Sequence, residues 1–179
     1  LKVDHAGEHG AISIYKAQIW MAMLRAPEMV PELTHFLAHE VRHRSIFQAE
    51  LARRGVARCR SWHLCGVGGF VLGLLTGLIG RHAIAATTVA VEKVVLQHLS
   101  HQIETLQEAD PEACAAIRYI VEDERSHHDR SVQRLAAPSW LGRSIMGGER
   151  GATGAVIWLG MRLENARMAV REIVEMADP

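Results

Sequence analysis

Apolar residues recur every three or four positions along most of this chain, which is the period of an α-helix with one buried face. The pattern predicts four long helices over residues 2–25, 31–54, 83–109 and 111–135, and a further helix over residues 152–176. Prolines and glycines stand at several of the predicted helix ends, as is usual for helix boundaries. The chain is therefore predicted to be all-α, and its 179 residues suit a single domain, residues 1–179.

Each of the four long helices carries a glutamate on its apolar stripe, where a charged side chain is out of place. These residues are Glu8, Glu40, Glu92 and Glu124. An ionised carboxylate that is buried without a counter-charge costs on the order of several kcal/mol. Four such residues therefore indicate a shared positive partner, although Glu8 taken alone is equally consistent with an exposed position near a helix start.

The same arrangement of acidic residues and histidine occurs twice: a lone glutamate is followed 32 residues later by Glu-x-x-His. The two copies are Glu8, Glu40 and His43, and Glu92, Glu124 and His127. Residues three apart share one helix face, so four helices can direct four carboxylates and two imidazoles into one core. This ligand set is typical of the di-iron or di-manganese sites of ferritin-like four-helix bundles. Four carboxylates neutralise two divalent ions, and oxygen with imidazole suits iron or manganese.

Two further residues near these motifs leave alternatives open. His35, His39 and His43 form an i, i+4, i+8 ladder, so His39 is a rival ligand, but only His43 stands three residues after a glutamate. Asp123 directly precedes Glu124 and is a candidate hydrogen-bond partner for a ligating imidazole. A solvent-facing charge is an equally good interpretation of Asp123.

The segment from Leu64 to Gly80 has no charged residue in 17 positions. Five of its glycines recur every three or four residues and form one smooth helical face, which would let the helix lie close against another backbone. They are Gly66, Gly69, Gly73, Gly77 and Gly80. Three interpretations compete: a transmembrane helix, a helix half-sunk in one leaflet, or a buried connector. One span between the two helix pairs would place the two halves of the metal site on opposite sides of the bilayer. An interfacial segment of about residues 62–82, inserted between the helix pairs, is therefore the prediction.

The arginines before this segment and the helix predicted near the end of the chain each allow two interpretations. Four arginines precede the segment: Arg53, Arg54, Arg58 and Arg60. They suit either a solvated loop or contact with anionic headgroups or phosphates. The helix predicted over 152–176 has an apolar first half, which suits packing on the bundle or a second membrane-facing surface.

The composition argues against nucleic-acid binding and against a structure held by disulfides or a cysteine zinc site. Lys plus Arg and Asp plus Glu both number 20, so the formal net charge is zero and bulk charge does not favour binding of nucleic acid. The three cysteines show no CxxC spacing, which argues against a disulfide framework or a cysteine zinc site.

Three stretches resemble the demethoxyubiquinone hydroxylase family of ubiquinone biosynthesis: Val3–Glu8, Thr88–Glu92 and Asp123–Asp129. The similarity extends over essentially the whole chain, including the glycine-rich segment. It implies a peripheral membrane di-iron monooxygenase that hydroxylates the ring of a polyprenylated methoxy-methyl-benzoquinol with dioxygen, and NADH is the expected electron source. The implied location is the inner membrane, on the bacterial cytoplasmic or mitochondrial matrix side. A homo-oligomer or a ubiquinone-biosynthesis complex would be the assembly.

The resemblance also implies roles for individual residues. Glu8 and Glu92 would be terminal ligands of two iron ions, Glu40 and Glu124 would bridge them, and His43 and His127 would each bind one. Two further residues would act beside the metal, and these are Tyr15 and His98. Tyr15 stands two turns after Glu8 on the same face, and His98 would lie at the rim of the quinone pocket. Leu99 stands where the family usually has tyrosine.

Two other functions remain as alternatives. One is another ferritin-like di-iron hydroxylase or oxidase with a different substrate. The other is a non-enzymatic ferritin-like protein that binds or stores iron. Storage favours a soluble shell and has no use for the apolar segment between Leu64 and Gly80.

Overall fold

The predicted long helices are present in a computed structural model, which describes residues 1–136. The five helices are α1 (Lys2–Arg25), α2 (Val30–Arg53), α3 (Trp62–Ile79), α4 (Arg81–Leu106) and α5 (Pro111–Ala136), with a short 3₁₀ turn at Pro27–Met29. Their ends lie within a few residues of the predicted ones, and the all-α fold is confirmed. The helix predicted over 152–176 lies outside the described residues.

Helices α1, α2, α4 and α5 form the bundle, in which α1 packs on α2 and α4 packs on α5. Two apolar clusters fill its core, and α2 contributes to both. Phe36, one turn before Glu40, belongs to the first cluster, and Phe47, one turn after His43, belongs to the second. The Glu40 and His43 motif of α2 therefore lies between two apolar layers of the core.

The predicted apolar stripe of α1 holds for its first half and fails at its end. Glu8, Ile12 and Tyr15 are buried, but Met23 is 55% exposed and Ala22 is buried instead. At 3.6 residues per turn, Met23 lies about 80° around the helix from Tyr15, whereas Ala22 lies about 20° from it. The predicted stripe took two successive steps of four residues, from Tyr15 to Ile19 and from Ile19 to Met23, and these steps moved it off the buried face.

Helix α3 lies against α1 through its glycines, as the sequence predicts for four of the five. A Cβ on Gly69 would come within 2.3 Å of the Gly10 carbonyl oxygen, and one on Gly73 equally close to that of Ile14. A Cβ added to Gly66 or to Gly77 would likewise come too close to a side chain of α1. Gly80 differs, because a Cβ there would meet nothing; its φ of +110° instead allows the sharp connection between α3 and α4.

The face of α3 turned away from α1 is apolar and exposed. Its exposed large side chains are Leu64, Val67, Phe70, Val71, Leu75, Leu78 and Ile79. This exposure does not fit a buried connector. By length and composition alone, α3 is the one helix among residues 1–136 that qualifies as a membrane span.

Two of the four arginines before α3 make ion pairs within the protein. Arg54 pairs with Glu50 and Asp110, and Arg53 lies 2.7 Å from Glu112. These pairs join the end of α2 to the start of α5. Arg53 and Arg54 are therefore occupied by protein carboxylates, and the proposed contact with headgroups or phosphates loses support for them.

Candidate metal centre

The four predicted glutamates and both predicted histidines meet in the middle of the bundle. Glu8 comes from α1, Glu92 from α4, and α2 and α5 each supply a Glu-x-x-His pair. None of the six residues is more than 5% exposed. The apolar stripes of the four helices bring them together, since each stripe faces the same core.

The six side chains form two overlapping groups of four. In the first group, ligand atoms of Glu8, Glu40, His43 and Glu124 all lie within 4.8 Å of one another. In the second, the same holds for Glu40, Glu92, Glu124 and His127. Glu40 and Glu124 belong to both groups, which is the arrangement that two metal ions bridged by two carboxylates require.

Both histidines turn Nδ1 toward the carboxylates. His43 Nδ1 lies 2.9 Å from Glu124 Oε1 and 3.9 Å from Glu8 Oε2. His127 Nδ1 lies 3.3 Å from Glu40 Oε1 and 3.8 Å from Glu92 Oε1. Nδ1 is therefore the nitrogen that each imidazole would offer to a metal ion held by these carboxylates.

The other nitrogen of each ring contacts an outer partner. His43 Nε2 lies 3.0 Å from Asp123 Oδ2, and the guanidinium of Arg42 holds the same carboxylate oxygen at 2.7 Å. His127 Nε2 lies 3.2 Å from Nδ1 of His39. Asp123 thus stands where the sequence suggested a partner for a ligating imidazole. His39, the rival ligand, belongs to neither group of four.

The electrostatics of the metal-free centre show an excess of buried negative charge. Burial, together with the neighbouring carboxylates Glu40, Glu124 and Glu92, raises the pKa of Glu8 well above its usual value. Burial and the nearby Glu124 raise the pKa of Glu92 to about 8. Burial opposes protonation of His127, but the surrounding carboxylates outweigh it and raise its pKa to about 12. Protons thus take the place that positive ions would occupy.

The polar atoms left without partners test whether the residues fit a metal pair. Among the described residues, four centre atoms are buried without a hydrogen bond of good geometry, although the two Nδ1 atoms lie 2.9 and 3.3 Å from carboxylate oxygens. The four atoms are Glu40 Oε1, His43 Nδ1, Glu124 Oε2 and His127 Nδ1. Buried polar atoms are rarely left unpaired. All four belong to the donor set, and oxygen with imidazole nitrogen matches iron or manganese. The residues therefore fit two divalent ions.

Tyr15 and His98 occupy different surroundings. The Tyr15 hydroxyl is buried and donates a hydrogen bond to Glu92 Oε1 at 2.9 Å. Burial and the nearby Glu92 raise the pKa of Tyr15 well above its usual value. His98 Nε2 instead lies 3.1 Å from Asp4 Oδ1 and 2.9 Å from Gln102 Nε2. The sequence prediction did not include Asp4; its place four residues before Glu8, on the same helix face, is the signal that could have indicated an inward position, although not its contact with His98.

A cavity of about 460 Å³ connects the carboxylates to α3. All four glutamates of the centre line it, as do His98, Asp4 and Leu99. The rest of the lining is mostly aliphatic and includes Val71, Leu72 and Leu75 of α3. A cavity of this size and character suits a small apolar ring.

The raised pKa of Glu92 gives a pH dependence for the metal-free protein. The folded state keeps a proton that the unfolded chain releases above about pH 4.5, so stability falls as pH rises from about 4.5 to 8. The slope is about 1.4 kcal/mol per pH unit for one proton. Urea unfolding across this range measures the effect. Glu8 and His127, whose pKa values are also raised, add to this slope. Glu92→Gln should therefore reduce the slope by about the share of one proton without abolishing it, and an unchanged slope in that variant would contradict the assignment.

The all-α bundle and the paired Glu and Glu-x-x-His groups define a ferritin-like protein of the di-iron carboxylate class. The family model described as "Ubiquinone biosynthesis protein COQ7" matches residues 1–160. The chain belongs to this family.

Curated relatives agree with that membership. The NADPH-dependent 3-demethoxyubiquinone 3-hydroxylase of Mus musculus mitochondria is 34% identical over 170 residues, which cover 90% of this chain and 76% of the relative. The Dictyostelium discoideum protein of the same name is 30% identical, covering 91% and 76%. The 3-demethoxyubiquinol 3-hydroxylase of Rhodospirillum rubrum is 31% identical, covering 91% and 76%. The resemblance seen in the sequence is confirmed, whereas two of these names specify NADPH and not the expected NADH.

Proposed function

We propose that this chain is a di-iron monooxygenase that hydroxylates the ring of a polyprenylated demethoxybenzoquinol with dioxygen, in ubiquinone biosynthesis. The observation that carries the proposal is the pair of overlapping Glu/His groups at the end of an apolar cavity. Membership of the family and the names of the hydroxylase relatives support the same reaction.

The six residues of the centre hold the metal in this proposal. Glu8 and Glu92 would each hold one ion, Glu40 and Glu124 would be shared by both, and His43 and His127 would each bind one ion. Two ferrous ions, when bound, would supply electrons and the site at which dioxygen is activated. The protein contributes fixed ligand positions and a dry cavity that keeps water from side reactions.

Tyr15 and His98 have separate parts in the reaction. The Tyr15 hydroxyl keeps its proton on the oxygen that faces Glu92 and orients this carboxylate. His98 lies on the cavity wall, held by Asp4 and Gln102, and meets an oxygen substituent of the substrate ring. Leu99, which is 1% exposed, provides an apolar wall in place of a tyrosine hydroxyl.

The exposed face of α3 gives the prenyl tail of the substrate a path from the cavity to a lipid phase. Val71, Leu72 and Leu75 line the cavity, and Val71 and Leu75 are also exposed. Trp20, Met23 and Leu24 of α1 extend the exposed apolar surface. We therefore propose peripheral binding to an inner membrane, on the bacterial cytoplasmic or mitochondrial matrix side. A homo-oligomer or a ubiquinone-biosynthesis complex remains part of the proposal.

A single-turnover experiment tests this function. The iron-loaded chain is incubated anaerobically with a short-chain demethoxyquinone and either NADPH or NADH, then exposed to ¹⁸O-labelled dioxygen. We expect a hydroxylated product that carries one labelled oxygen, with NADPH as the donor that the relatives' names indicate. Metal-free protein is the matched control. Protein that holds two irons and is reduced, yet leaves the quinone unchanged, would contradict the proposed substrate.

A further inference from the structure

The two ligand histidines have chemically different outer partners. His43 Nε2 faces the carboxylate of Asp123 at 3.0 Å, and Arg42 fixes that carboxylate. His127 Nε2 faces another imidazole, that of His39, at 3.2 Å. The two groups of four otherwise match, since each contains one histidine and three glutamates. The difference between the two halves of the centre therefore lies outside the ligands.

The hydrogen bond at His127 fixes the form of its ring. When Nδ1 of His127 binds a metal ion, the ring proton is on Nε2, and this N–H must be donated. Nδ1 of His39 is the acceptor that the described residues offer at 3.2 Å. Nδ1 of His39 must then be unprotonated, so the neutral ring of His39 carries its proton on Nε2. Asp123 Oδ1 lies 3.3 Å from the same Nδ1, and its negative charge makes that nitrogen a better acceptor.

We propose that His39 positions His127 for metal binding, and that the two metal positions are unequal because an imidazole supports one histidine and a carboxylate supports the other. A carboxylate partner makes a ligating imidazole more basic than a neutral partner does. The position at His43 is therefore the tighter one, and the position at His127 is the weaker one. This inference rests on the proposed metal centre.

His39 is accessible enough to be changed without opening the core. Its side chain is 15% exposed, whereas that of His127 is fully buried. His35 stands one turn away on α2, is exposed, and has its ring 4.3 Å from that of His39. Among the described residues, the ring of His35 contacts Phe36 and His39 and neither ligand histidine, so His35→Leu removes a histidine from the same face without removing the hydrogen bond.

Cobalt(II) titration of the metal-free chain tests the proposal, because visible absorption of bound Co²⁺ reports both the number of ions and their surroundings. The wild type should bind two ions in two unequal steps. His39→Leu should keep the first step and weaken the second by about 10- to 100-fold, the usual cost of losing an outer partner. His39→Asn places an acceptor oxygen where Nδ1 stood and should restore most of the second step. His35→Leu should resemble the wild type.

A second set of variants shows whether His39 acts through His127. In chains that already carry His127→Ala, adding His39→Leu should change Co²⁺ binding no further, since coupled residues are not additive. A merely structural role for His39 would add its cost in both backgrounds. Far-UV circular dichroism checks that each variant is folded, and His39→Ala replaces His39→Leu if the latter does not fold.

The outcomes separate this inference from the proposed function. A wild-type chain that binds no Co²⁺ contradicts the metal centre itself. Two ions in the wild type with unchanged binding in His39→Leu, equal binding steps in the wild type, or failure of His39→Asn to restore the second step would each overturn the role of His39. A third ion in the wild type that His39→Leu removes would also overturn it, because His39 would then be a ligand beside His43 and Asp123.

Discussion

Replacing Glu124 with alanine is expected to lower bound iron from two ions per chain to less than one and to reduce hydroxylation by more than about 100-fold. Loss of an outer partner alone costs 10- to 100-fold, and Glu124 is a member of both groups of four. Removing it therefore weakens both metal positions together. Iron analysis after desalting, paired with single-turnover hydroxylation, measures the two effects on one sample.

The matched control is Glu122→Ala, two residues earlier on α5. Glu122 is exposed and belongs to none of the groups of possible metal ligands in the described part. This variant should keep both irons and full turnover. Two irons and normal turnover in Glu124→Ala would remove the basis for the bridging role, whereas equal losses in both variants would point to damage of α5 as a whole.

The convergence of the six candidate ligands could be predicted because the apolar stripe of each helix shows which face is buried. In α2, the apolar stripe fixes the buried face, and Glu40 and His43 lie on that face one turn apart. The repeated spacing then relates two pairs of helices without any knowledge of how they pack. Burial alone explains why a glutamate at such a position needs a cation, so the centre follows from local patterns.

Contacts between helices could not be predicted in the same way. The pairing of His39 with His127 depends on the rotation and axial offset of α2 relative to α5. The hydrophobic periodicity of each helix does not determine these two quantities. The same holds for His98 and Asp4, which belong to α4 and α1. The sequence therefore predicted the six residues that the fold brings together and one contact beyond them, that of Asp123 with His43, whereas His39 was predicted only as a rival ligand.

In the glycine-rich helix α3, the face that packs could be predicted from the sequence, but its partner helix could not. Its spacing predicts a smooth face that lies against another backbone, and Gly69 and Gly73 do so. The sequence does not say that the partner is α1, because any helix with small or accessible backbone positions would serve. Gly10 of α1, whose carbonyl faces Gly69, has one other glycine nearby, Gly7, and two glycines are too short a pattern to indicate α1 as the partner.

Substituting alanine for Gly73 should destabilise the protein by about 1–3 kcal/mol, the usual cost of overpacking a close contact. The new Cβ would lie 2.3 Å from the carbonyl oxygen and 2.8 Å from Cα of Ile14. Both are backbone atoms of a helix, so no side chain can move aside, and α3 must shift away from α1. Denaturant unfolding of the metal-free chain, monitored by circular dichroism, gives the change in free energy of unfolding.

Gly68→Ala is the control that makes this result specific, because it adds the same methyl group to the same helix where nothing lies within 4 Å. Alanine is a better helix former than glycine, so this variant should be more stable by about 0.5–1 kcal/mol. Opposite signs for the two variants are therefore expected. Since Gly69, Leu72 and Leu75 of α3 line the cavity, the shift caused by Gly73→Ala should also raise KM for the quinone while both irons stay bound. Gly68 lines the same cavity, so Gly68→Ala is the control for stability only, and KM is compared with that of the wild type. If both variants are stabilised equally, α3 does not lie against the backbone of α1, and the cavity between α3 and the metal centre loses one wall.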